Sequence, residues 1–366
     1  MAPVEILKYA ISSPADTSPL EKIQAAGYDV SQILAVVGKT EGKQRPQACY
    51  GRSTPPIWHR VDPYCIAGNG CVNDFSRTLA SAVWEPRIPS DAVTIFSGGT
   101  EGVLSPHITF FLQSRASTET GLSASVGHTR TFAPHEIGTD VQAQQVAATV
   151  SELIRQINAG PEQVHLVLIK CPLLTSDKLQ AIRAQGRLPI TADTYESMAR
   201  SRYASAIGIA TALGEIHQDD ISKAMTDGDR WSAKASCSSG AELDNCHILV
   251  LASTPSREGN LRAVSRPMAD AMDAASVLSL LAQVKKDDGE VLQVFAKAEA
   301  DPSGSVRGWR HTMNTDSDIH STRHARAAVG GLIAGLVSDA QIYVSGGAEG
   351  QGPSGGGSLC LVYRTN

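Results

Sequence analysis

Ser97, Ser238 and Ser345 each stand four residues before a glutamate, at Glu101, Glu242 and Glu349, and each is followed by Gly-Gly or Ser-Gly. A serine attacks only when a neighbouring base takes its proton. The chain offers a base for each, because apolar, β-branched runs end in lysine at "ILAVVGK" (Lys39), "VHLVLIK" (Lys170) and "VLQVFAK" (Lys297). Burial disfavours the charged form of an amine, so a lysine closing a buried strand is pushed toward the neutral base. The small residues after each serine let backbone N–H groups approach a developing oxyanion. A third element recurs near the start of probable helices: Arg77 in "NDFSRTLASAV", Arg202 in "ARSRYASAIGIA" and Arg323 in "HSTRHARAAVGGLIA". An arginine fork suits carbonyl or enolate oxygens.

Taken singly, these features are ordinary: a strand-end lysine snorkels, a Ser-Gly-Gly turns the chain, and a helical arginine finds a surface ion pair. Their recurrence in one order, Lys39, Arg77, Ser97, then Lys170, Arg202, Ser238, then Lys297, Arg323, Ser345, points to a shared site. The middle copy has diverged to Cys237-Ser238-Ser239, which favours Lys170 and Ser238 as the reacting pair. The position four before Glu242 selects Ser238 over its neighbours Ser236 and Ser239.

These residues must be held by three homologous units, near 1–115, 116–254 and 255–366, each mixing strands with amphipathic helices. The expected fold is α/β (α+β), with the units in a pseudo-threefold arrangement around one central active site. "SPLE" at 18–21 reads as a capping box with proline at N1, and "TDVQAQQVAATVSELIRQI" at 139–157 as a helix covering the second sheet. Residues 43–68, rich in Pro, Arg and aromatics and without period, read as an inserted surface loop with no catalytic role.

With 366 residues the chain has ample core for an enzyme. A net charge of −5 and 5% aromatic residues offer no basic patch or stacking platform, so no nucleic-acid partner is expected. No apolar run is long enough for a membrane span, and the seven cysteines include no C-x-x-C pair, which together point to a soluble cytoplasmic protein with reduced thiols. His320 and His324 have helical spacing that would suit a metal, yet no third ligand is evident. "GGAEGQGPSGGG" reads as a flexible loop, or more remotely a phosphate cradle, and lacks the Lys-Ser/Thr ending of a P-loop.

The strings "GKTEG", "NGCVND", "SGGTEGVLSPH", "KCPLLT", "DTYESM", "FAKAEA", "RHTMNTDSDIHSTRHARA" and "VSGGAEGQGP" resemble the cyanuric acid hydrolase and barbiturase family of ring-opening amidohydrolases. The resemblance covers nearly the whole chain outside the insertion. It implies a central site that binds a six-membered cyclic imide through Arg77, Arg202 and Arg323, with Ser97 and Gly98, Ser238 and Ser239, and Ser345 and Gly346 as further contacts. It places the catalytic pair on Lys170 as base and Ser238 as nucleophile, with Lys39 and Lys297 in two additional dyads. The implied reaction opens cyanuric acid to a carboxylate that loses carbon dioxide to give biuret, without redox cofactor or catalytic metal. A structural Mg²⁺ or Ca²⁺ is implied at Glu299, Ala348, Gln351, Gly352, Pro353 and Gly356, and a homotetramer as the assembly. His320 falls at a specificity position where related hydrolases carry Asn or Gln, so barbiturate is the alternative substrate. A non-catalytic ring-binding protein is the alternative of another class.

Overall fold

The computed structural model describes residues 4–41, 72–114, 121–253 and 259–366, so the insertion at 43–68 lies outside the described residues. Strands β1 (Val4–Ala10), β2 (Ile33–Lys39), β3 (Val93–Ser97) and β4 (His107–Gln113) form a first sheet. Strands β5 (Leu122–His128), β6 (Val164–Pro172), β7 (Ala235–Gly240) and β8 (His247–Ser253) form a second. A third contains β9 (Leu261–Met268), β10 (Gly289–Ala298), β13 (Tyr343–Gly346) and β14 (Gly357–Thr365), and a short hairpin joins β11 (Ser305–Val306) to β12 (Trp309–Arg310). The helices are α1 (Ser18–Ala25), α2 (Val72–Trp84), α3 (Asp140–Gln156), α4 (Ser176–Ala184), α5 (Thr194–Ala212), α6 (Ile221–Asp227), α7 (Ala274–Lys286) and α8 (Ser321–Val337).

The three sheets share one topology. In each, the first strand pairs antiparallel with the fourth, the fourth antiparallel with the second, and the second parallel with the third. The parallel step demands a long crossover. It is supplied by α2, by α4 to α6, and by the β11–β12 hairpin with α8. The three-unit α/β architecture read from the repeats is therefore the one observed.

Strand periodicity explains how the site is assembled. Successive side chains point to opposite faces. Ala35 and Val37 of β2, Leu166 and Leu168 of β6, and Phe295 of β10 all enter one central core, with Val93, Ile95 and Tyr343 from the third strands. Val167 and Ile169 instead face the helix-covered side with residues of α3 and α5. Continuing the inward set by two residues puts Lys39, Lys170 and Lys297 on the central face, and the same step puts Ser97 and Ser345 beside them. Phe295 stacks at 6.1 Å from Phe111 and 5.7 Å from Tyr343, bridging the first and third units. Truncating such a buried ring to alanine costs about 3–5 kcal/mol.

Two local expectations are resolved here. The 139–157 helix is α3, Asp140–Gln156, with Thr139 at its N-cap. The capping box at 18–21 is corrected: Thr17 is the N-cap of α1 and makes no side-chain cap bond, while the Ser18 N–H donates to Asp16 Oδ1 at 3.0 Å. Asp16, a better acceptor than a serine hydroxyl, has taken that role from outside the helix. Among the described residues, Cys171, Cys237, Cys246 and Cys360 are buried free thiols, and no helix is long and apolar enough to cross a membrane.

Candidate active site

A cavity of about 300 Å³ opens above the central core, lined by Arg77, Ser97, Arg202, Ser238, Ser239, Arg326, Ser345 and Gly346, with Tyr195 and His320 among its other walls. A larger cavity of about 520 Å³ beside α5 shares Ala199 and Glu349 with it but contains none of the repeated lysines or serines. The smaller one gathers the repeated serines with Arg77 and Arg202.

Each lysine reaches across to a neighbouring unit. Lys39 Nζ donates to Val344 O at 2.7 Å, Lys170 Nζ to Phe96 O at 2.7 Å, and Lys297 Nζ to Cys237 O at 2.7 Å. The acceptor is in every case the carbonyl just before a pocket serine. Each arginine crosses as well, in the opposite cyclic sense. Arg202 forks onto Glu349 with contacts of 2.7 and 2.6 Å, and Arg326 forks onto Glu101, its Nε 2.7 Å from Oε2. Arg77 stands in the field of Glu242. Three sets result: Lys39, Ser97, Glu101 with Arg326; Lys170, Ser238, Glu242 with Arg77; Lys297, Ser345, Glu349 with Arg202.

The serine motifs themselves are shaped by these arginines. Gly99 and Gly347 have φ of +68° and +74°, and a Cβ there would lie 2.7 Å from Arg326 Nε and 2.6 Å from Arg202 Nη2. The second glycine of each Ser-Gly-Gly thus admits the arginine of a neighbouring unit, beyond making a turn. In the middle copy Ser239 accepts from Arg202 Nη1 at 3.2 Å. The Gly98 carbonyl accepts from Ser97 Oγ at 3.2 Å.

Burial drives all three lysines toward neutrality, and an arginine adds to it. Lys39 is held well below the ordinary lysine value by desolvation and then by Arg326. Lys297 is lowered to about 7 by desolvation and then by Arg202. Lys170 is lowered to about 8 by desolvation, the Glu242 carboxylate 3.3 Å away opposing that shift. Desolvation lowers Arg77 as well, with Arg326 and Arg202 adding repulsion.

The dyads differ in closure. Lys39 Nζ bonds Ser97 Oγ at 3.1 Å and Lys297 Nζ bonds Ser345 Oγ at 3.0 Å. Lys170 and Lys297 both bond the carbonyl after their serine, Ser239 O at 3.1 Å and Gly346 O at 3.2 Å, but Lys170 makes no bond to Ser238, whose Oγ is buried with no hydrogen-bond partner among the described residues. Lys170 and Ser238 are nevertheless register partners on β6 and β7.

Arg323 is corrected on position. It is one-third exposed and lies 3.8 Å from Glu41 and 3.9 Å from Glu101, whereas Arg326, one helical turn deeper on α8, fills the place equivalent to Arg77 and Arg202. Spacing held little signal: Arg77 precedes Ser97 by 20 residues and Arg202 precedes Ser238 by 36, so neither 19 for Arg326 nor 22 for Arg323 before Ser345 stands out. The glutamates recurred visibly, but their arginine partners come from other units, which no local spacing reveals. His320 caps α8, its Nδ1 accepting from Thr322 N–H at 3.3 Å, and stacks on Tyr195 at 4.7 Å at the mouth of the cavity. His324 pairs with Asp316 at 2.7 Å.

The residues expected to hold a cation adjoin this site. Glu299 Oε2 accepts from Gly355 N–H at 3.0 Å, and burial followed by the Glu349 charge raises its carboxyl to about 7. Gly352 adopts φ +138° in the same loop, and a Cβ on Gly356 would lie 2.1 Å from Met268 O. Ala348 O and Pro353 O each accept one loop N–H, at 2.8 and 2.9 Å, and Gln351 O accepts from Ser358 N–H at 2.7 Å. Among the described residues no cluster of three or more His, Cys, Asp or Glu side chains could hold a metal. One buried carboxylate with backbone carbonyls is a hard-oxygen donor set, which fits Mg²⁺ or Ca²⁺ better than a softer ion.

A family model described as "Amidohydrolase ring-opening protein" matches residues 66–364. The chain is 72% identical over 366 residues to a cyanuric acid amidohydrolase of Sarocladium sp, covering 100% of both, and 53% identical to one of Pseudonocardia dioxanivorans, covering 100% of this chain and 99% of that one. The crystal structure of cyanuric acid hydrolase from A. caulinodans superposes with a TM-score of 0.87 at 38% identity, over 100% of both chains. A second cyanuric acid hydrolase structure, described as evolutionary innovation by structural concatenation, gives 0.85 at 38% identity over 99% of both. Matched across most of its length and related end to end to such enzymes, the chain belongs to the ring-opening amidohydrolases, which hydrolyse C–N bonds of cyclic amides.

Proposed function

We propose that this enzyme hydrolyses cyanuric acid, opening the s-triazine ring to carboxybiuret, which loses carbon dioxide to give biuret. The observation that carries this reading is the cyclic interlock of three Lys-Ser-Glu-Arg sets around one cavity. Cyanuric acid presents three carbonyls at threefold positions, so Arg77, Arg202 and Arg326 can each meet one. Relatives that carry the name over the full length support the same substrate.

In the proposed reaction Ser238 Oγ attacks one ring carbonyl while neutral Lys170 takes its proton. The tetrahedral oxyanion is met by backbone N–H groups and an arginine fork. Collapse breaks the ring C–N bond, the nitrogen leaving with the proton held by Lys170, and water then hydrolyses the acyl-serine. Lys170 must turn from Ser239 O toward Ser238 as substrate enters. A second reading, with Lys297 and Ser345 as the reacting pair, draws support from their 3.0 Å bond and the lowering of Lys297 to about 7. His320 would discriminate between ring substrates, a role supported by its stacking on Tyr195 in the cavity wall.

Glu299 and the carbonyls of Ala348, Gln351, Gly352, Pro353 and Gly356 would hold the structural cation. When bound, it would supply charge compensation for the Glu299 carboxylate and order the loop that follows Ser345. A homotetramer is the proposed assembly, to be read by sedimentation.

The direct experiment is turnover of purified protein on cyanuric and barbituric acids side by side. Preference for cyanuric acid supports the reading. Turnover of barbituric acid alone would overturn the substrate and leave the ring-opening class intact.

A further inference from the structure

Two residues before each pocket serine, on the same face of its strand, stand Ile95, Ser236 and Tyr343. The repeat is chemically irregular at this layer, just beneath the cavity floor. Tyr343 is 1% exposed, its ring packed 5.7 Å from Phe295, with Lys39 Nζ 5.5 Å from its centroid. Its hydroxyl faces those of Ser238 and Ser97 without closing a well-formed bond to either, and lies in the field of Arg77. Tyr343 Oη and Ser238 Oγ are both buried and without a partner among the described residues. Buried phenol hydroxyls ordinarily have one. Ser97 is already committed, to Lys39 at 3.1 Å and to Gly98 O at 3.2 Å, so the unmet need that Tyr343 faces is that of Ser238.

We propose that Tyr343 is a positioning residue: once substrate fills the cavity its hydroxyl donates a hydrogen bond to Ser238 Oγ, fixing the rotamer from which that oxygen attacks. Ile95 and Ser236 cannot supply such a bond in the other two positions of this layer, and Ser97 is already held by Lys39, so the bond would favour Ser238. The Ser238 proton is left pointing toward Lys170. Burial keeps the phenol protonated, its pKa pushed up to about 12, so it remains a donor throughout the working range. This inference rests on the reading of Ser238 as nucleophile.

Tyr343→Phe removes only the hydroxyl. The expected result, by steady-state kinetics and rapid-quench measurement of acyl-enzyme formation, is a kcat lowered roughly 10- to 100-fold with KM within about twofold. The thermal midpoint should stay or rise, since no made hydrogen bond is lost. Wild-type kcat, or a fall in thermal midpoint with a matching rise in KM, would overturn the proposal. Ser236→Ala, which removes the other partnerless hydroxyl of this layer, should keep wild-type kcat; an equal loss there would assign the effect to the layer and overturn the role of the phenol. Ser238→Ala run alongside separates the two claims. If it is inactive while Tyr343→Phe is normal, only the Tyr343 proposal fails; if it retains turnover, the nucleophile reading fails and takes this one with it.

Discussion

Lys39 and Lys297 hold their serines at 3.1 and 3.0 Å, whereas Lys170, at the same strand register, makes no bond to Ser238 and pairs with Glu242 at 3.3 Å. The carboxylates account for the difference. Glu101 and Glu349 are taken by the forks of Arg326 and Arg202. Glu242 Oε2 has no hydrogen-bond partner among the described residues, and Oε1 leans on Lys170. Where an arginine occupies the glutamate, the lysine is left to its serine; where it does not, the lysine is drawn away and the serine is open. Three sets built alike thus divide into two whose serines are held by their lysines and one whose serine is open, the set we propose to react.

The largest expected effect breaks the symmetry outright. Ser238→Ala should lower kcat by at least roughly a thousandfold at unchanged thermal midpoint, while Ser97→Ala and Ser345→Ala act mainly on KM, by about tenfold. A dead Ser345→Ala beside an active Ser238→Ala would move the chemistry to a closed pair. Next comes the arginine clamp: Arg326→Ala should lower kcat/KM by roughly a hundredfold and reduce the thermal midpoint, because it leaves the Glu101 charge buried without its fork. Arg323→Ala, which loses only long contacts at a part-exposed position, should stay within about threefold in the same assays.

Glu242→Gln sharpens the comparison through pH. Burial lowers Lys170 and the Glu242 carboxylate opposes the shift, giving a value of about 8. Removing that carboxylate lowers the lysine further, so the neutral base persists to lower pH and the acidic limb of kcat/KM must move down. An unmoved limb would mean that Lys170 is not the base. The smallest effect is expected from the cation: millimolar Mg²⁺ should raise the thermal midpoint by a few degrees, and Glu299→Gln should abolish the rise.

Much of this was legible in the sequence because a strand exposes its logic locally. The apolar runs ending in Lys39, Lys170 and Lys297, and the serines at matching phase, are period-two patterns that any inward-facing strand must show. The helix over 139–157 was legible for the same reason at period 3.6. What failed was non-local. Arg323 and Arg326 lie on one helix, and only the depth of α8 against the next unit's Glu101 separates them. The open state of Ser238 depends on Glu242 pairing with Lys170, while the arginine forks on Glu101 and Glu349 come from other units. Tyr343 carries no local mark, since nothing nearby in sequence sets its hydroxyl apart from the apolar residues of β13.

The central claim is that one set of the three carries the covalent chemistry. The most direct measurement is rapid-quench mass spectrometry of the wild-type enzyme turning over cyanuric acid, with the trapped acyl group mapped by peptide. An adduct on Ser238, within residues 235–240, is the predicted result; an adduct on Ser97 or Ser345, or turnover without any serine adduct, would contradict it.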